Sequence, residues 1–338
     1  MIYNLKQCVW EITLECCFSC KHCGSKAGKK RGKELDTQEC LRIVNELAEL
    51  ECQHVSLIGG EIFMRKDWDI IVSALTSHKI RTSVITNGFI MSDDIIKRLK
   101  DSDVTSVAVS LDGTREYHDE LRQAGSFDRA TSAIDALVQN EIPVSVITTL
   151  NSKNICMLNE MYSILVTNGI SAWQLQACSP MGNAALLGTD IFFNFNDAIR
   201  FVERYANDAP FILGVAHNIG YYTETEGFLR GNTTGKAHFL GCTAGITSIG
   251  IDSMGNVRGC ESMYDDRFIE GNLKEQSLRQ IWQSPDSFLY NRKATFEMLT
   301  GNCEDCAHKI YCMGGCRSYN YFVHKKMYES PNCAKITG

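Results

Sequence analysis

The chain has 338 residues, a formal net charge of −6 and 16 cysteines. That length suits about two domains, and the negative balance argues against a surface that tracks nucleic-acid phosphates. No run of eighteen apolar residues offers a membrane span, and the first residues lack a secretion signal's apolar stretch. The cysteines therefore read as thiol ligands in a reducing cytoplasm, not as a disulfide framework.

Residues 9–14 alternate like a half-buried strand. Cys16-x3-Cys20-x2-Cys23 follows, on a loop leaving that strand's C-terminal end. Three thiolates on a short loop can hold three irons of a [4Fe–4S] cluster, which normally takes four cysteines, and leave the fourth iron open. Tetrahedral zinc also accepts C-x2-C pairs. Lys26, Lys29, Lys30, Arg31 and Lys33 come next and read as a solvated loop or as a surface steering an acidic partner. A helix starts at Asp36, with Glu39 completing a capping box and Leu41, Val44, Leu47 and Ala48 on one face.

Strands over 55–58, 83–85, 107–110, 144–149 and 172–176 then alternate with helices over 67–78, 92–100, 127–140 and 154–167. Six strands in this rhythm predict a parallel α/β sheet with right-handed crossovers. Open doubly wound sheets and barrels alike keep their chemistry beyond the C-terminal ends of strands. Gly59-Gly60-Glu61, Thr86-Asn87-Gly88, Ser110-Leu111-Asp112-Gly113 and Ser179-Pro180-Met181-Gly182 all fall at such ends.

From residue 186 to about 238 the rhythm is lost. A helix from Asn196 turns Ala198, Phe201, Val202 and Tyr205 inward, among Phe192, Phe193, Phe195, Phe211, Tyr221, Tyr222 and Phe228. This reads as a bridge packing two domains, with substrate contact the alternative. The last hundred residues hold Cys242, Cys260, Cys303-x2-Cys306-x5-Cys312-x3-Cys316 and Cys333. Residues 246–252 and 256–260 read as a hairpin around Ser253-Met254-Gly255. Cys8, Cys17, Cys40, Cys52 and Cys156 read mostly as small buried hydrophobes. Cys178 follows the sixth strand, where a thiol can donate a hydrogen atom to a substrate radical.

In order and spacing these motifs resemble the radical S-adenosylmethionine (SAM) superfamily, whose triplet has an aromatic residue, here His22, before its last cysteine. The C-terminal cysteines resemble its SPASM extension. The resemblance implies a partial (β/α)6 barrel over 1–185, a bridging segment over 186–238 and a small α+β SPASM domain over 239–338. It implies that the triplet's open iron chelates the amino and carboxylate groups of SAM, and that an electron from the cluster splits SAM into methionine and a 5′-deoxyadenosyl radical. Gly59 and Gly60 would then expose backbone to the ligand, and Glu61 would accept hydrogen bonds from the SAM amine. The family often has proline where Ile62 stands. Thr86 and Asn87 would line the pocket, Ser110 and Asp112 would hold the ribose, and Arg122 would pair with the methionine carboxylate.

By the same resemblance Cys303, Cys306, Cys312 and Cys333 would ligate a distal auxiliary cluster, and Cys242, Cys260 and Cys316 a proximal one. The total is then three [4Fe–4S] clusters in an oxidoreductase. Some members supply an eighth cysteine just before Cys242. Its absence here predicts an open or exchangeable proximal iron, with His238 the alternative ligand. SPASM proteins mostly crosslink, oxidise or epimerise ribosomally made peptides, and the Cys23-to-Gly28 run looks like members that build side-chain cyclophanes. A precursor peptide is the expected substrate and a flavodoxin or ferredoxin the expected reductant. The first strand begins within about ten residues, so leader recognition would need a separate protein or the barrel itself. Maturation of another protein, such as a sulfatase, and small-molecule dehydrogenation are alternative activities. A non-catalytic zinc scaffold is the reading from a different class.

Overall fold

The computed structural model describes residues 3–231 and 238–337. Strand β1 (Gln7–Glu11) lies inside the sheet, with hydrogen-bonded neighbours on both sides. Helix and strand then alternate: α1 (Thr37–Glu49), β2 (His54–Ile58), α2 (Trp68–Ser77), β3 (Arg81–Thr86), α3 (Asp93–Asp101) and β4 (Ser106–Ser110). Next come α4 (Arg115–Leu121), α5 (Ser126–Gln139), β5 (Val144–Leu150), α6 (Leu158–Leu165), β6 (Ala172–Ala177), α7 (Phe195–Tyr205) and β7 (Ile212–Val215). The capping box of α1 forms as expected: Glu39 N donates to Asp36 Oδ1 and Asp36 N to Glu39 Oε2, each at 2.8 Å.

Strands β1 to β7 pair in parallel and in sequence order. A doubly wound sheet reverses its order at a switch point. An unreversed order with right-handed crossovers keeps the helices on one face, as in a barrel. Alternation along the strands agrees: Trp10, Leu57, Val84, Val107, Val146 and Trp173 are buried, whereas Ser56, Ser83, Ser106 and Ser145 on the opposite face are half-buried. Across that polar face His54 Nε2, Ser83 Oγ and Ser106 Oγ link three strands at 2.9 Å per step.

Three features depart from the expectation. Helix α4 precedes the expected α5. The segment after residue 186 contributes β7, an extra parallel strand on β6. The hairpin of β8 (Ser248–Ile251) and β9 (Asn256–Arg258) is not detached: β8 pairs in parallel with β1, from Gln7↔Ser248 to Trp10↔Ile251. With β10 (Gly271–Asn272), one ten-stranded sheet runs through the described residues. Aromatic residues of 186–231 reach the C-terminal part, Phe195 against Tyr319 at 5.7 Å and Tyr222 stacked on His308 at 4.6 Å.

The basic loop residue Arg31 is also not simply solvated. Its Nη1 donates to the fully buried Glu11 at the end of β1 and to Ser253 Oγ beyond β8. Burial raises the Glu11 pKa, and Arg31 opposes that rise. Arg31→Met should therefore cost about 3–5 kcal/mol, the usual loss when one partner of a buried pair is removed. Denaturant melts should show a larger loss at pH 8 than at pH 5, because a stranded Glu11 can take up a proton only at the lower pH.

Candidate active site at the strand ends

The loop after β1 is latched almost wholly through main-chain groups. Cys16 N donates to Gly28 O at 3.0 Å, Gly28 N to Leu14 O at 3.1 Å, and Lys21 N to Leu121 O at 2.9 Å. From the end of β2, Gly60 N donates to Thr13 O at 2.8 Å and Glu61 N to Glu15 O at 2.7 Å. The glycines serve this contact: a Cβ on Gly60 would lie 2.4 Å from Glu15 O, and one on Gly59 2.8 Å from Thr13 O. From beyond β6, Asn183 N donates to Cys23 O at 2.8 Å and Asn183 Nδ2 to Cys20 O at 3.0 Å. Gly182, at φ +59°, approaches Gly24 O too closely for any side chain. The thiols of Cys16, Cys20 and Cys23 thus hang from a fixed backbone, and no disulfide joins them.

The expected SAM-pocket residues gather around this loop. Glu61 is fully buried; Thr86 Oγ1 donates to its Oε1 and Asn87 N to its Oε2, each at 2.8 Å. Burial raises its pKa against those donors. Asn87 Nδ2 points at the Cys17 and Cys16 sulfurs, 3.6 and 3.9 Å away. Asp112, past the end of β4, accepts from Arg122 Nε at 2.6 Å, from Thr149 N at 2.8 Å, and faces His22 Nε2 at 3.1 Å. Burial alone would raise its pKa, but Arg122 and His22 hold the carboxyl well below the usual carboxylate range. Arg122 is therefore no surface arginine: it ties Asp112 to the triplet and draws down the Cys20 pKa, which burial pushes up to about 11. Ser110 is half-buried at the end of β4. Cys178 lies past the end of β6 but is buried with Ala184 and Ile191, which pushes its thiol up to about 12.

The second cysteine set forms two groups. Cys303, Cys306, Cys312 and Cys333 line one cavity with Tyr221, Tyr222 and His308. Ser330 N donates to Cys303 Sγ at 3.3 Å, and burial with Cys333 and Cys303 nearby pushes the Cys312 thiol up to about 12. Cys242 and Cys260 pack against one small hydrophobic cluster, and burial, with those two thiols, raises the Cys316 pKa. Among the described residues no three His, Cys, Asp or Glu side chains converge on one metal-ion position. Four thiols that border one cavity without converging on a single point can ligate the separate irons of a cluster. His238 is exposed and stacks on Tyr222, whose ring borders the four-cysteine cavity.

Several contributors carry no spacing signal. The loop clamp Asn183 is one. Tyr290, whose buried hydroxyl packs where a side chain on Gly259 would stand, is another. Tyr221 Oη, which accepts from Cys316 N at 3.0 Å, is a third. Asp112→Asn should destabilise the protein by about 3–5 kcal/mol, because Arg122 is left buried without its carboxylate. The stabilisation is present above the unfolded carboxyl pKa of about 4, so the gap to wild type in denaturant melts should narrow as pH falls below that value.

Comparison with known proteins supports the same reading. Residues 10–165 match the Radical SAM superfamily and residues 242–307 match the SPASM iron–sulfur cluster-binding domain. The mycofactocin maturase MftC of Mycolicibacterium smegmatis is 28% identical over 93% of this chain and 78% of its own. The AdoMet-dependent heme synthase of Methanosarcina barkeri is 26% identical over 96% and 95%. Streptococcus suis SuiB bound to its precursor peptide SuiA shares the fold at a TM-score of 0.77 and 17% identity, over 97% of this chain and 75% of that one. The anSMEcpe enzyme with bound AdoMet does so at 0.73 and 17%, over 98% and 95%. The matches reach both cysteine sets, and the chain belongs to the radical SAM superfamily as an enzyme with a SPASM domain, dependent on SAM and iron–sulfur clusters.

Proposed function

We propose that this enzyme modifies a ribosomally made precursor peptide by side-chain crosslinking, oxidation or epimerisation, with three [4Fe–4S] clusters. The likeness to a maturase over nearly the whole chain carries the reading. Residues 1–185 form the SAM-binding barrel, 186–238 the bridge and 239–338 the SPASM domain. When bound, SAM and the triplet's cluster supply the 5′-deoxyadenosyl radical that removes a substrate hydrogen.

This chain's residues hold and orient those groups. Cys16, Cys20 and Cys23 ligate the cluster, with the Asn87 amide and the Arg122 guanidinium beside their sulfurs. Glu61 keeps acceptor capacity beyond Thr86 and Asn87 for the SAM amine. Ser110 and Asp112 hold the ribose diol, and Arg122 retains N–H donors for the methionine carboxylate. Cys178 is neutral, the state a hydrogen-atom donor needs. Cys303, Cys306, Cys312 and Cys333 hold the distal cluster. Cys242, Cys260 and Cys316 hold the proximal one and leave an iron open to substrate. A flavodoxin or ferredoxin supplies the electron in the cytoplasm.

A second reading, a small-molecule substrate, is favoured by the heme synthase relatives, whose length this chain matches closely. Reconstituted enzyme, given SAM and reductant, should be offered short peptides encoded beside its gene and, separately, porphyrin precursors. A peptide mass change coupled to 5′-deoxyadenosine release is expected; turnover of the porphyrin precursors alone would overturn the peptide assignment.

The Cys16→Ala/Cys20→Ala/Cys23→Ala variant should retain about eight of about twelve irons per chain, by four-iron stoichiometry, and release no 5′-deoxyadenosine. Undiminished release from the folded variant would sink the ligand assignment. Glu61→Gln should weaken SAM binding by about 1.5–3 kcal/mol, the worth of a hydrogen bond to a charged group, while iron content stays at the wild-type level. Equilibrium binding with parallel iron analysis checks both halves.

A further inference from the structure

Arg317 opens the helix Arg317–His324 directly after Cys316, and its side chain is 0% exposed. Its Nη1 donates to the carbonyls of Met313 and Met327, the latter at 3.1 Å, and its guanidinium lies 4.6 Å from the Tyr328 ring centroid. Nε and Nη2 have no hydrogen-bond partner. Among the described residues no carboxylate is recorded in an ion pair with it. Glu329, next to Tyr328, is committed to Lys326 and Thr300, each within 2.9 Å. A guanidinium does not lose its proton in a protein. A buried charge without a counter-charge is strongly unfavourable, so such groups are normally paired.

The surroundings identify the counter-charge. Met313 lies between Cys312 and Gly314, both lining the four-cysteine cavity, and Ser330, which donates to Cys303 Sγ, lines it too. A Cβ on Gly314 would lie 2.8 Å from Tyr328 O, so the two segments make one wall, and Arg317 is bound to carbonyls of both. We propose that Arg317 is a built-in counter-cation of the distal auxiliary cluster, set behind the wall formed by residues 312–314 and 327–330. The inference rests on the reading of Cys303, Cys306, Cys312 and Cys333 as ligands of that cluster. An iron–sulfur cluster held by four thiolates is anionic and becomes more so on reduction, so a fixed cation beside it favours the reduced form. Net charge and hydrogen bonds to sulfur are general determinants of cluster potential. Arg317 is thus a positioning and tuning residue, with no contact to substrate required.

The test is a potentiometric titration of the reconstituted holoenzyme followed by EPR, with the distal signal assigned by its loss in Cys303→Ala. Arg317→Met should favour the oxidised distal cluster by tenfold or more, about 59 mV for a one-electron couple. Arg317→Lys, which keeps the charge but not the fork, should stay within about threefold of wild type. Loss of the distal cluster in Arg317→Met alone would also support the proposal, since charge would then be needed for retention. An unchanged distal potential in Arg317→Met overturns it. So does an equal shift, or an equal loss of four irons, in both variants, because Arg317 would then only brace the loop. If Cys303→Ala removes neither iron nor signal, the ligand assignment fails, and that failure is distinct from one confined to Arg317.

Discussion

A short loop with three cysteines must place its sulfurs reproducibly although it contains no helix or strand of its own. In this chain the placement comes from main-chain latching. The end of β2 holds residues 13 to 15, the turn after α4 holds Lys21, and the segment after β6 holds Cys20 and Cys23. Each latch needs close backbone approach, which is why glycines stand at 59, 60 and 182. Backbone contacts fix the loop without consuming its thiols. The sheet matters to the chemistry because it sets the segments that follow β2, β4 and β6 at the distances those latches require.

The same economy governs charge. Glu61 and Asp112 lie fully buried past the ends of β2 and β4, but they are held in opposite ways. Asp112 has a guanidinium and an imidazole beside it and stays ionised, whereas neutral donors surround Glu61 and its affinity for a proton is raised. Two carboxylates of similar sequence setting thus offer different electrostatic surfaces to a bound cation. Arg122 connects one of them to His22 of the cysteine loop, so the triplet and the segment after β4 form one electrostatic unit.

Much of this was legible in the sequence. Strand–helix alternation and capping signals located β1 to β6 and most of the helices between them. Cysteine spacing marked the triplet after β1, and four of the C-terminal cysteines, Cys303, Cys306, Cys312 and Cys333, border one cavity. Short elements were missed for physical reasons. Helix α4 is seven residues, rich in charge, with little apolar periodicity, and β7 is four residues inside an aromatic stretch where helix and strand patterns look alike. The partners of the motif carboxylates were illegible because they are distant in sequence: Thr86 is 25 residues from Glu61, and Thr149 is 37 from Asp112. The buried role of Arg31 was hidden because charge runs give no sign of which member folds inward.

The parallel pairing of β8 on β1 also determines how the molecule can be divided. Without the residues beyond 238, the outer flank of β1 from Gln7 to Trp10 would lose its partner and present unpaired N–H and C=O groups beside the cysteine loop. An uncovered flank of that kind is a template for strands of other chains. A shortened protein ending at the bridge would retain every SAM-pocket motif and yet tend to aggregate through the strand that carries them. The separable unit of this fold is therefore larger than the residues that match the Radical SAM superfamily, and the strand that leads into the cysteine triplet is stabilised by the part of the chain that matches the SPASM iron–sulfur cluster-binding domain.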